Sequence, residues 1–407
     1  MRLLHTRDMV FEEFTEREIP PYAILSHRWG KDEVSYQELR CLTETNEKRR
    51  EALEQVWDIS YVKKQGRGFE KIRRICTYAL YQDFMWIWID TCCINKESSA
   101  ELGEAINSMF NWYRKATVCY AYLSDVRKSD TGIKEQHFQQ SEWFLRGWTL
   151  QELLAPSSVV FLDAEFEIIG SRTVLEEAIE LATGIDRDCI SGRKTIFDES
   201  VATRMSWAAR RTTTRVEDLA YCLIGIFNIN MPLLYGEGTK AFRRLQEEII
   251  RSSDDETIFV HTHALHTGPQ ALAHHPRNFL HPAKVLKWVP ERFLGTAIGS
   301  TSYTMTNKGV QMKVPFVRID EAQRGMLLNC HFEGQNYPVI IPITPVKLGD
   351  PFSSAVESNK FSRVSQNVWR MRVHTSLEED IAKAKRLIDI ALLGRGDPFE
   401  YDTIYLR

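Results

Sequence analysis

The chain lacks a long hydrophobic run. Its longest apolar block, Phe84 to Ile89, falls far short of the ~20 residues that a membrane-spanning helix needs. It also lacks an excess of charge of either sign. The formal net charge of −3 leaves no electrostatic footprint for a nucleic-acid partner, and no membrane partner is expected. There are eight cysteines but no C-x-x-C pair, and only Cys92-Cys93 are adjacent. Neither a zinc ribbon nor a disulfide framework is indicated, so a reducing cytoplasm is the expected compartment. The N-terminus has acidic residues by position 12 and no apolar core, which argues against a signal peptide. Glycine-rich phosphate loops are missing as well. Gly66-Arg-Gly68 has no third glycine and follows no strand, while Gly236-Glu-Gly238-Thr-Lys240 has the wrong spacing for a P-loop.

What is present is a 407-residue chain of ordinary composition, 43% hydrophobic and 26% charged, enough for two or three domains with buried cores. Tyr22-Ala-Ile-Leu-Ser-His-Arg-Trp-Gly30 reads as a buried parallel strand whose polar end, Ser26 to Gly30, forms a loop. Apolar spacing over Phe69 to Tyr81 predicts a helix. Phe84 to Ile89 is a second buried strand ending at Asp90, so strand, helix and strand make a right-handed parallel crossover. Glu101 to Ala116 is a further helix and Thr117 to Leu123 a third strand. Asp90 and Ser26 to Gly30 therefore fall on the same sheet edge, where open α/β sheets bind ligands. Two readings of that loop stay open: a binding loop, or Trp29 capping the core with Arg28 in solvent.

Ser141 to Pro156, SEWFLRGWTLQELLAP, has a serine N-cap and an Ala-Pro stop. Read as one helix, it puts Leu145, Trp148 and Glu152 on one face. A carboxylate there would lie beside an indole, where desolvation raises its pKa and a flat ligand can stack. The plainer alternative is an amphipathic helix with Glu152 on its wet side. A strand at Val159 to Leu162 and a short strand–helix pair complete an α/β domain over 1–183.

Residues 184–258 read as helical, with a capping box at Thr214 and Glu217 before Leu219 to Phe227 and a helix from Thr239. Arg204, Arg210, Arg211 and Arg215 are expected to pair locally. Residues 259–407 read as a β-rich module. It has hairpins around Asn307-Lys-Gly309 and Glu333-Gly-Gln335, a strand at Val364 to Val373, and a terminal helix from Ser376 to about Leu393. The histidines between 261 and 281 have no nearby ligand set, so no metal site is expected.

Three blocks carry a resemblance: YAILSHRWGKDEVSYQEL (22–39), WIDTCCINKESSAELGEAINSMFNWYRKATVCYAYLSDV (88–126) and SEWFLRGWTLQELLAP. In order and composition they resemble the fungal heterokaryon-incompatibility (HET) domain family, and 202–238 resembles the region that commonly follows it. HET domains are similar in organisation to TIR domains, which are flavodoxin-like. The resemblance implies an α/β fold with a TIR/flavodoxin-like parallel sheet, a helical middle segment and a β-rich module. It also implies a role in allorecognition and programmed cell death, self-association, and a protein trigger, NLR-like or other.

Catalytic TIR domains cleave NAD+ with a glutamate in a W-x-x-x-E arrangement, which Trp148-Thr-Leu-Gln-Glu152 reproduces. The implied catalytic residue is Glu152. The implied binding residues for NAD+, as substrate rather than resident cofactor, are Ser26, His27, Arg28, Trp29, Gly30, Asp90 and Trp148. A non-catalytic, self-associating adaptor is the alternative.

Overall fold

The computed structural model describes residues 1–43, 66–128, 135–262, 271–281, 283–288, 303–307, 309–318, 324–335, 338–345, 368–371 and 400–406. The chain forms two compact units, one of residues 1–196 with 211–234, the other of 197–210 with 235–407.

In the first unit the elements are β1 (Arg2–His5), β2 (Phe11–Glu13), β3 (Ala23–His27), α1 (Tyr36–Thr43), α2 (Arg67–Tyr81), β4 (Trp86–Trp88), α3 (Ser99–Lys115) and β5 (Val118–Tyr122). There follow α4 (Glu135–Gln139), α5 (Thr149–Leu154), β6 (Val159–Leu162), β7 (Ile168–Ser171), α6 (Glu176–Thr183) and α7 (Arg187–Ser191). The strands build one sheet in the order β2-β1-β4-β3-β5-β6-β7. The expected parallel sheet is its centre: β4, β3, β5 and β6 are mutually parallel. Its rims are antiparallel, because β1–β2 and β6–β7 are joined by short links that no crossover helix interrupts.

Numbered along the chain, the four parallel strands stand in the order 2-1-3-4 of flavodoxin-like sheets. The direction of winding reverses between β3 and β5, so a crevice opens beyond their C-terminal ends. All five residues of β3 are buried, which the apolar run at 22–25 already required. Right-handed crossovers in opposite directions put α2 and α3 on opposite faces of the sheet. The helix α5 packs on α3 and so shares its face.

The expected helix over 219–227 is two short ones, Asp218–Tyr221 and Ile224–Phe227. Glu217 itself takes the N-cap, and its side chain makes no capping bond, so the capping box from Thr214 does not form. The second helix lies hard against α3: a Cβ on Gly225 would sit 2.2 Å from Cβ of Phe110. Gly225→Ala is expected to destabilise the first unit by about 1–3 kcal/mol through overpacking. A thermal midpoint unchanged from the wild type would contradict that packing.

In the second unit β8 (Val285–Lys287) pairs with β12 (Cys330–Phe332). The larger sheet contains β9 (Tyr303–Thr306), β10 (Gly309–Arg318), β11 (Arg324–Leu328), β13 (Val339–Pro345), β14 (Val368–Met371) and β15 (Glu400–Leu406). Its pairings run β11-β13-β14-β15-β10 and return from β10 to β11, closing a ring of five strands with β9 added on β10. Both expected hairpins are present, β9–β10 and β11–β13. The strand expected over 326–332 divides at Asn329, because β12 leaves for β8 while β11 stays with β13. His261 and His281 spend a ring nitrogen on backbone carbonyls and His275 caps a turn. His263, His266 and the expected terminal helix lie outside the described residues.

Candidate functional site

The site is built where β3 ends. Successive side chains of a strand point to opposite faces, so Ser26 and His27 separate. Ser26 turns to the face carrying α5, where its hydroxyl donates to Oε2 of Glu152 at 2.5 Å and accepts from Nε1 of Trp143 at 3.0 Å. All three side chains are buried, Glu152 at 3% exposure. Burial pushes the Glu152 carboxyl up to about 8; the nearby charge of Asp90 adds to this, and the Ser26 hydroxyl, Arg146 and Arg211 oppose it. At neutral pH the closed site therefore holds Glu152 mainly as the neutral acid.

The segment that delivers Glu152 is not one helix. Residues 142–145 form a 3₁₀ turn capped by Ser141, whose hydroxyl bonds Asp125 at 2.7 Å. The chain then breaks at Arg146-Gly147 and resumes as α5, six residues long. The break has a tertiary cause. Thr212 donates to the carbonyl of Leu145 at 2.7 Å and accepts from the N–H of Gly147 at 2.9 Å, so a neighbouring segment takes the bonds a helix would use. A Cβ on Gly147 would lie 2.5 Å from Cγ2 of Thr213, which leaves room for no other residue. Arg211 is buried, is pushed down to about 10 by that burial, and donates to the Arg146 carbonyl (2.8 Å) and Thr149 Oγ1 (2.9 Å). At the far end, Arg172 closes α5 by donating to the Leu153 carbonyl at 2.7 Å.

The break changes which indole meets the carboxylate. Trp148 becomes the half-buried N-cap of α5, and among the described residues no side-chain hydrogen bond joins its indole to Glu152. The indole that shares a hydroxyl with Glu152 is Trp143. The sequence marks it only by its place two residues after the N-cap. Lys96 and Arg146 also went unflagged. Lys96 Nζ sits 3.8 Å and the Arg146 guanidinium 5.1 Å from the ring centroid of Trp29.

Trp29 is 41% exposed, and its Nε1 donates to Oδ2 of Asp90 at 2.7 Å. Asp90 thus meets Ser26 to Gly30 at one rim. His27 lies wholly buried between two carboxylates, Nδ1 at 3.8 Å from Asp90 and Nε2 at 3.7 Å from Glu33. Neither ring nitrogen completes a hydrogen bond. Burial, aided by Lys71, lowers the His27 pKa against the pull of Glu33 and Asp90, so the ring is neutral and contributes no positive charge to a ligand. Gly30 spends its N–H on Glu33 at 2.6 Å, and Arg28, half exposed, pairs with Glu142. Two of the expected donors are thus already engaged within the protein.

A family model described as heterokaryon incompatibility protein (HET) matches residues 22–137. The vegetative incompatibility protein HET-E-1 of Podospora anserina is 45% identical over 261 residues, 61% of this chain and 18% of that protein. The chain therefore spans less than a fifth of the length of that relative. No solved structure matches. Among the described residues no helix is long and apolar enough to cross a membrane. Over residues 22–137 the chain thus matches the heterokaryon-incompatibility (HET) domain family.

Proposed function

We propose that this chain acts in heterokaryon incompatibility and cell death by cleaving the nicotinamide–ribose bond of NAD+ through Glu152. The observation that carries the reading is the Ser26–Glu152 hydrogen bond at 2.5 Å. It brings a carboxyl group to the crevice end of the sheet, near Trp29 with its two cations. The strand order and the Trp148-to-Glu152 spacing add a likeness to TIR domains, which act on NAD+.

The chemistry asks little of the protein. The glycosidic bond breaks with its electron pair going to the nicotinamide nitrogen, which neutralises the pyridinium ring, so no general acid is needed. Positive charge develops at the anomeric carbon, where one carboxylate stabilises it until water adds and releases a proton. The exposed face of Trp29 suits a flat ring, and Lys96 and Arg146 suit phosphate oxygens. Glu152 must be ionised for this role. Opening that hydrates the site, of the kind self-association would drive, lowers its pKa and produces the working form.

The test is nicotinamide release from NAD+ by the full chain, free and after forced clustering. Glu152→Gln is expected to lower release about 100-fold or more with the fold retained. Release at the wild-type rate by the variant, or none by the wild type in either state, would overturn the reading. The burial of Glu152 favours one second reading, a non-catalytic adaptor that self-associates and recruits a death partner. Killing that persists unchanged in Glu152→Ala cells would select it.

A further inference from the structure

On the α2 side of the same rim lies a separate cleft of about 600 Å³, within the range of small-molecule sites. It is walled by the loop after β3, the first turns of α2, and the loops after β5 and β6. Six basic residues line it against four acidic ones. Most of the cations are spoken for: Lys71 holds Glu33 at 2.5 Å, Arg28 holds Glu142, and Arg74 and Arg127 share the single carboxylate of Glu165 at 3.4 and 2.6 Å. The side chains of Lys31 and Arg67, both exposed, make no hydrogen bond or ion pair among the described residues. The apolar part of the wall is Tyr122 stacked on Phe166, ring centroids 4.5 Å apart.

This cleft is not the Glu152 site. Glu152 and Ser26 belong to the α5 face, whereas Lys71, Glu33 and Arg74 belong to the face that carries α2. We propose that the cleft binds a phosphate-bearing anion of nucleotide size, with Lys31 and Arg67 as its unpaired cations. Surplus positive charge that faces a concave, partly aromatic wall is matched by multiple phosphate oxygens, and Arg67 offers the planar fork that grips them in pairs. Glu33 belongs to both regions: it lines the cleft and lies 3.7 Å from His27, which lies 3.8 Å from Asp90. An anion that draws Lys71 away from Glu33 would thereby act on the group that holds Trp29.

Titration calorimetry of the full chain with ADP and with inorganic pyrophosphate tests this. Both are expected to bind in low salt, more weakly as salt is raised. ADP binding tighter than pyrophosphate would identify a nucleotide, and equal binding would identify the phosphates alone as the recognised part; either supports the site. The double variant Lys31→Glu with Arg67→Glu, at two exposed positions, should weaken binding about tenfold or more, roughly 1.4 kcal/mol. Glu152→Gln should bind as the wild type does, so failure of the hydrolase reading leaves this one standing. Absence of binding by the wild type, or binding indifferent to the double charge reversal, would overturn it.

Discussion

Glu152→Gln is expected to be more stable than the wild type at pH 8, although it removes no apolar contact. The carboxyl is raised from 4.5 to about 8 in the folded chain, so the native state keeps a proton that the unfolded chain releases above about 4.5. Over that window the unfolded state binds fewer protons, and stability falls as pH rises, by about 1.4 kcal/mol per unit. The contribution is complete below the unfolded value and gone once pH passes the folded one. It sums to on the order of 4 kcal/mol, large beside a typical folding free energy. Glutamine keeps an acceptor for Ser26 and has no proton to lose. Urea midpoints read by tryptophan fluorescence between pH 5 and 8.5 should therefore decline for the wild type and stay nearly level for the variant. Parallel pH profiles would refute a buried, neutral Glu152.

Lys71→Met is expected to cost about 3–5 kcal/mol, more than the loss of any exposed ion pair. Lys71 grips both oxygens of Glu33, at 2.5 and 2.7 Å, and both side chains are nearly enclosed, at 10% and 14% exposure. Without the ammonium, Glu33 keeps, among the described residues, only the Gly30 N–H and a neutral imidazole. Burial alone would raise the Glu33 pKa; His27, which takes up its proton only in acid, and Lys71 outweigh it and hold the group well below its usual range. Its stabilisation is therefore present above about 4.5 and lost as pH falls through the depressed folded value. Replacing both residues, Lys71→Met with Glu33→Leu, should recover most of the loss, since no charge is left stranded. A double variant no better than the single one would show that the cost lies in packing rather than in the bared carboxylate. With Glu152 losing stability on the alkaline side and Glu33 on the acid side, these two groups together favour mildly acidic pH.

The strands that carry the site were readable because their composition leaves no alternative. An interior parallel strand must be apolar along its length, and Tyr22 to Leu25 and Trp86 to Ile89 are. The outer strands escaped notice for the opposite reason. β1 and β2 are four and three residues long with mixed polarity, and their pairing is set by neighbours in space. The break at Gly147 was invisible locally, because nothing in SEWFLRGWTLQELL shows that Thr212 will arrive to take its backbone bonds. From that break follows the exchange of Trp148 for Trp143 as the indole linked, through Ser26, to Glu152. Arg211 illustrates the same limit: its cluster reads as local pairing, yet its guanidinium bonds the carbonyl and hydroxyl at the start of α5.

The strap formed by 211–213 across Gly147 bears on where this protein can be cut. A fragment ended at residue 137, the last position of the family match, would discard Glu152 altogether. One ended at 183 would retain it on a six-residue helix whose opening turn had lost its arginine clasp. The shortest piece worth assaying runs to residue 234, and inactivity in anything briefer would say nothing about the chemistry.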